Sequence, residues 1–145
     1  MVCLGILRDY GNIYGGKVKA TVVNGAVSGG NQGLGGNLDL VNHGNVTLYR
    51  GAVYNGTATH VEATGSNGMG GNICVSSTNA ALNLHSVAIT GGSSGVYVIS
   101  GTVNLYDAEV SGNYSKEYGG TVCCGTAATL NVHGGTVIAG KTDGK

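Results

Sequence analysis

The sequence predicts an all-β chain wound as a single-stranded parallel β-helix, a solenoid of about five three-stranded coils stacked into one rod. Three observations predict it. Glycine makes up 29 of the 145 residues while proline, phenylalanine and tryptophan are absent, so valine, isoleucine and leucine must build a thin core between tight turns. Apolar-x-apolar triplets recur along the chain. Small or glycine-rich clusters close each recurrence, as in Ser28-Gly29-Gly30, Thr90-Gly91-Gly92 and Ser111-Gly112-Asn113, and self-similarity at this period is the mark of a repeat architecture.

The coil starts come first. Gly35-Gly36-Asn37-Leu38, Gly70-Gly71-Asn72-Ile73 and Gly119-Gly120-Thr121-Val122 share one pattern, with Gly95-Val96 between the last two and a weaker Gly11-Asn12-Ile13 at the front. Ile13, Leu38, Ile73, Val96 and Val122 are then equivalent, spaced by about 23 to 35 residues, within or near solenoid periods. This places coils near residues 11, 35, 70, 94 and 119 after a partial N-terminal coil over 1–10, all in one domain of residues 1–145, with residues 57–69 bulging as a loop.

A second strand follows each start: Ala20-Thr21-Val22, Val46-Thr47-Leu48, Leu82-Asn83-Leu84, Val103-Asn104-Leu105 and Leu130-Asn131-Val132. Five residues after the second apolar member stands another valine or isoleucine, namely Val27, Val53, Ile89, Val110 and Val137. Three short strands of period two, separated by turns, close into a rough triangle with alternate side chains inward. The two aliphatic columns beginning at Ile13 and at Val27 are therefore expected to be buried. Right-handed winding is the expectation for parallel crossovers.

These glycine-led starts, aliphatic-x-aliphatic triplets and S-G-N segments resemble the glycine-rich β-helix repeats of bacterial surface proteins, including polymorphic outer-membrane autotransporter passengers and related adhesins. The resemblance spans most of residues 11 to 140 and implies an extracellular or cell-surface location. Repeats of this kind also occur in pectate-lyase-like enzymes, so the architecture is the specific part.

Two outward columns are the candidate sites. Thr21, Thr47, Asn83, Asn104 and Asn131 form a structural polar ladder, because stacked amides hydrogen-bond along a parallel array. Val23, Tyr49, His85, Tyr106 and His133 form the next column, of which Tyr49, His85, Tyr106 and His133 are the candidates to contact a glycan or a protein. His85 and His133 lie two coils apart, too far to share a tetrahedral zinc. No metal, cofactor or catalytic residue is expected. Carboxylates are sparse: Asp39 projects from a first strand, and Asp107 and Glu109 stand without a third partner where glycoside chemistry or a calcium site needs a cluster.

The remaining motifs have plain readings. Gly29–Gly36 precedes a strand, not a helix, and so is not a phosphate loop. Asn45-Val46-Thr47, Asn55-Gly56-Thr57 and Asn113-Tyr114-Ser115 match glycosylation acceptors. The cysteines Cys3, Cys74, Cys123 and Cys124 lack metal-site spacing. Seven basic residues balance seven acidic ones, which argues against nucleic acid as a partner. No apolar run approaches the ~20 residues of a membrane span.

The expected function is a non-catalytic structural or adhesion module, a rigid scaffold whose partners are copies of itself or flanking solenoid repeats at its ends, or a host or cell-surface protein or glycan. End-to-end stacking into filaments follows from the lack of polar capping repeats. The alternative is a carbohydrate-binding or carbohydrate-active, pectate-lyase-like domain.

Overall fold

Short runs of alternating aliphatic residues, interrupted by glycine, asparagine and serine, favour extended chain over helix, and strands are what the computed structural model contains. It describes residues 2–3, 19–23, 26–28, 31–32, 37–40, 45–58, 70–115 and 120–142. Along these the strands are β1 (Val2–Cys3), β2 (Lys19–Val23), β3 (Ala26–Ser28), β4 (Asn31–Gln32), β5 (Leu38–Leu40), β6 (Asn45–Tyr54), β7 (Thr57–Ala58), β8 (Ile73–Thr90), β9 (Val96–Ser111), β10 (Tyr114–Ser115), β11 (Val122–Val137) and β12 (Lys141–Thr142). No helix occurs among the described residues.

Every pairing among the described strands is parallel. The main sheet runs β1-β2-β6-β8-β9-β11, with β3 also beside β6 and β5 beside β8, while β4 pairs β7 and β10 pairs β12. The register follows the spacing of the repeats. Leu38 pairs Ile73, Ile73 pairs Val96 and Val96 pairs Val122. Val27, Val53, Ile89, Val110 and Val137 likewise stand in one row. Ile13, the expected first member of the other row, lies outside the described residues, as do most of the N-terminal coil over 1–10 and residues 59–69 of the expected loop.

The five-residue offset between Leu84 and Ile89 has a physical cause. Side chains alternate faces along a strand, so an odd offset would put the two on opposite faces of a flat one. Both are fully buried. A left-handed residue between them resets the alternation: Ser86 has φ 54°, and Arg50 (50°), Asp107 (49°) and Gly134 (97°) hold the same place in their own strands. A non-glycine residue in this region costs about 1–2 kcal/mol, so its recurrence marks a bend that each long strand is built around. A second row of left-handed residues, Asn55, Gly91 and Gly112, ends the third segment.

One hydrophobic core results. It draws Leu38, Leu40, Ile73, Val75, Val96 and Val98 from the first segments, Leu48, Leu82, Leu84, Val103 and Leu105 from the second, and Val53, Val87, Ile89 and Val110 from the third. Two expectations need correction at its margin. Val122 is only partly buried, and Val137 is 45% exposed, with Val132 at 52%. The reason is position: among the described strands β11 pairs only with β9, and none of them covers its aliphatic residues on the other side.

Candidate functional site

The second segment places residues 47 and 49, 83 and 85, 104 and 106, and 131 and 133 on one side of the sheet, because two residues is the strand period. In-register parallel pairing then turns sequence repeats into ladders. Thr21, Thr47, Asn83, Asn104 and Asn131 share one register row. Within it Asn83 Nδ2 donates to Thr47 Oγ1 at 3.4 Å, Asn104 Nδ2 to Asn83 Oδ1 at 2.8 Å, and Asn131 Nδ2 to Asn104 Oδ1 at 2.8 Å. Each amide donates toward the N-terminal level, so the ladder has a polarity.

The ring ladder lies beside it. Val23 pairs Tyr49, which pairs His85, then Tyr106 and His133. Tyr49 and His85 stack with centroids 4.6 Å apart and planes at 20°, His85 and Tyr106 at 4.3 Å and 6°, and Tyr106 and His133 at 4.6 Å and 8°. These separations track the ~4.8 Å strand spacing. Stacking on a sugar uses the face of an aromatic ring, yet both faces of His85 and Tyr106 are covered by the neighbouring rings. The candidate contact residues therefore form a continuous column that offers its ring edges, with His133 exposed at its end.

The sequence reasoning missed a buried polar cluster at the ends of the long strands. The side chain of Asn72, fully buried, makes four hydrogen bonds. Its Oδ1 accepts from Asn37 Nδ2 and from the Gly56 amide, both at 2.9 Å. Its Nδ2 donates to Thr90 O at 3.0 Å and to Asn113 Oδ1 at 2.9 Å. Asn113 in turn accepts from the Gly92 amide at 3.0 Å and donates to Ile89 O and Ser111 O. Asn37 and Asn72 enter just before β5 and β8, but Asn113 enters just after β9, opposite Gly95. A Cβ on Gly95 would meet Asn113 Nδ2 at 2.9 Å and also collide with Thr121 O, so glycine faces asparagine across the cluster. The GG-N and S-G-N tripeptides carried the signal. Asn113 is therefore a buried structural residue, not an accessible glycosylation acceptor.

Asp39 also departs from expectation. It is buried at 5% exposure, with Oδ1 lacking a hydrogen-bond partner, and it pairs in register with Cys74. Burial raises the Asp39 pKa to about 6, opposed by a hydrogen bond with the Cys74 thiol. Burial, and then the neighbouring Asp39, push the Cys74 thiol far up, so Cys74 is a protonated, unreactive thiol. Cys123 and Cys124 are free, and Cys124 is exposed.

Asp107 and Glu109 are exposed, and Glu109 Oε1 accepts from the Ser111 hydroxyl at 2.7 Å. Glu109 stands in register with Ala88 and Thr136, so no neighbouring strand adds a carboxylate there. Among the described residues no group of three or more His, Cys, Asp or Glu is placed to hold a metal ion, and no helix is long and apolar enough to cross a membrane. No known family model matches the chain, and neither the curated proteins nor the solved structures yield a match.

Proposed function

We propose that this chain is a non-catalytic structural or adhesion scaffold of the cell surface or extracellular space, wound as a right-handed parallel β-helix of three-segment coils. The single observation that carries the reading is the core. Residues from all three segments of the same parallel strands pack into one cluster, and they bury one another without a helix layer among the described residues. Burial of one strand's segments against each other at recurrent left-handed bends supports a coiled course, and parallel crossovers favour the right hand.

The resemblance to glycine-rich repeats of bacterial surface proteins supports the location. A stiff rod with ladders of amides and rings along one side is a surface for contact rather than for turnover. The pectate-lyase-like alternative draws no support from Asp107 and Glu109, which are solvated and have no carboxylate in register beside them.

Antibody labelling and protease shaving of intact cells that produce the full chain test the location: the reading expects labelling without permeabilisation, and labelling only after lysis overturns it. Incubation with polygalacturonate and common bacterial glycans tests the chemistry. No release of reducing ends is expected. Turnover that Asp107→Asn or Glu109→Gln abolishes would make the protein an enzyme.

A further inference from the structure

Packing and chemistry conflict at the dipeptide Asn55-Gly56. Asn55 is exposed and left-handed, with φ 56°, while Gly56 is buried. Nothing larger than glycine fits at 56, because a Cβ there would collide with Gly71 O and come within 2.8 Å of Asn37 Nδ2. Yet asparagine followed by glycine is the pair most open to spontaneous deamidation, since no side chain shields the following nitrogen. In that reaction the nitrogen loses its proton, attacks the asparagine Cγ and expels ammonia; water then opens the cyclic imide to aspartate or isoaspartate. The attacking atom here is the Gly56 nitrogen. Among the described residues Asn55 is the only asparagine followed by glycine.

We propose that Asn55 is a deamidation site that the fold holds closed through the Asn72 side chain. The Gly56 N–H donates to Oδ1 of fully buried Asn72 at 2.9 Å, so the nucleophile keeps its proton and is directed at the interior. The Asn55 carboxamide lies instead against Gly91, where a Cβ would meet Oδ1 at 2.5 Å. The peptide is also held on both sides of the reacting bond. The Asn55 amide donates to Thr90 O at 3.1 Å, and Gly56 O accepts from the Ser93 amide at 3.0 Å. Cyclisation therefore waits for a local opening that frees the Gly56 nitrogen.

The product makes that opening permanent. Isoaspartate adds a main-chain carbon between the residue-55 Cα and the Gly56 nitrogen, so Gly56 no longer meets Asn72 and Ser93 together. Loss of these contacts is then governed by a rate rather than by an equilibrium. None of the contacts involved depends on the surface-scaffold reading.

The test incubates the full chain at mildly alkaline pH, folded and in urea. Trypsin then cuts after Arg50 and Lys116, and tandem mass spectrometry of the fragment, which also holds Asn67-Gly68, locates each acid formed. Asn55 is expected to convert at least about 10-fold more slowly in the folded chain than in urea. Asn72→Ala removes the acceptor and raises the folded-state rate at Asn55 at least about 5-fold, the equivalent of one net hydrogen bond. Leu105→Ala leaves the Gly56 bond in place and accelerates Asn55 less, although it takes more from the core. Equal rates at Asn55 in the folded chain and in urea overturn the proposal, and that comparison needs no substitution. An unchanged rate in Asn72→Ala overturns it as well. So does an acceleration by Leu105→Ala that equals or exceeds that of Asn72→Ala, because global unfolding would then set the rate.

Discussion

Replacing Asn72 with alanine separates a buried polar ladder from an exposed one. The four hydrogen bonds of Asn72 do not all vanish at equal cost, because some partners keep a second contact. Thr90 O still accepts from the Asn55 amide, Asn113 Oδ1 still accepts from Gly92, and Asn37 Nδ2 still donates one proton to Tyr54 O. The Gly56 amide, which is buried, loses its side-chain acceptor. At about 1–3 kcal/mol for a buried unsatisfied group, Asn72→Ala is expected to destabilise by about 1–3 kcal/mol. Asn83→Ala removes hydrogen bonds to Thr47 and Asn104 on a half-buried surface where water takes their place, and about 0.5–1.5 kcal/mol is expected. Urea unfolding followed by circular dichroism measures both, with the midpoint compared at constant m-value. An Asn72→Ala midpoint within about 1 kcal/mol of the parent chain, or equal losses for the two variants, would refute the reasoning that burial ranks the two ladders.

Three further outcomes follow from the same structure. Leu105→Ala, at a fully buried second-segment position, should cost about 2–5 kcal/mol through transfer and cavity in the same urea experiment. Burial raises Asp39 from 3.8 in the unfolded chain to about 6 in the fold, so the folded state holds its proton more tightly; the stability that this proton contributes should be fully present below pH 4, be lost as pH rises through 6, and be missing from the pH dependence of Asp39→Asn. Native alkylation read by mass spectrometry should label exposed Cys124 well before buried Cys74, since burial holds the Cys74 thiol in its protonated form; equal rates would contradict the packing around Asp39.

The sequence by itself determined the register. Parallel in-register stacking converts a one-dimensional period into rows of like residues, so aligning the triplets at Val46, Leu82, Val103 and Leu130 was enough to place Asn83 beside Asn104 and Tyr106 beside His133. The odd offset to Val53, Ile89, Val110 and Val137 already contained the bend, because only a left-handed residue such as Ser86 lets Leu84 and Ile89 share a face. Four features needed the tertiary structure. Asp39 reads as an outward residue by alternation, yet it is buried, as is Cys74 beside it, since alternation names a face but not what packs on it. The rings read as a surface for ligands, whereas the strand spacing matches ring stacking so closely that they cover one another. Asn113 reaches the cluster from the opposite side to Asn72, a relation across 41 residues that no local pattern encodes. Val137 carries the same residue type as Val53 and Val110 in the same row, but among the described strands β11 has a neighbour on one side only, and burial is a property of the neighbours a residue has rather than of the residue.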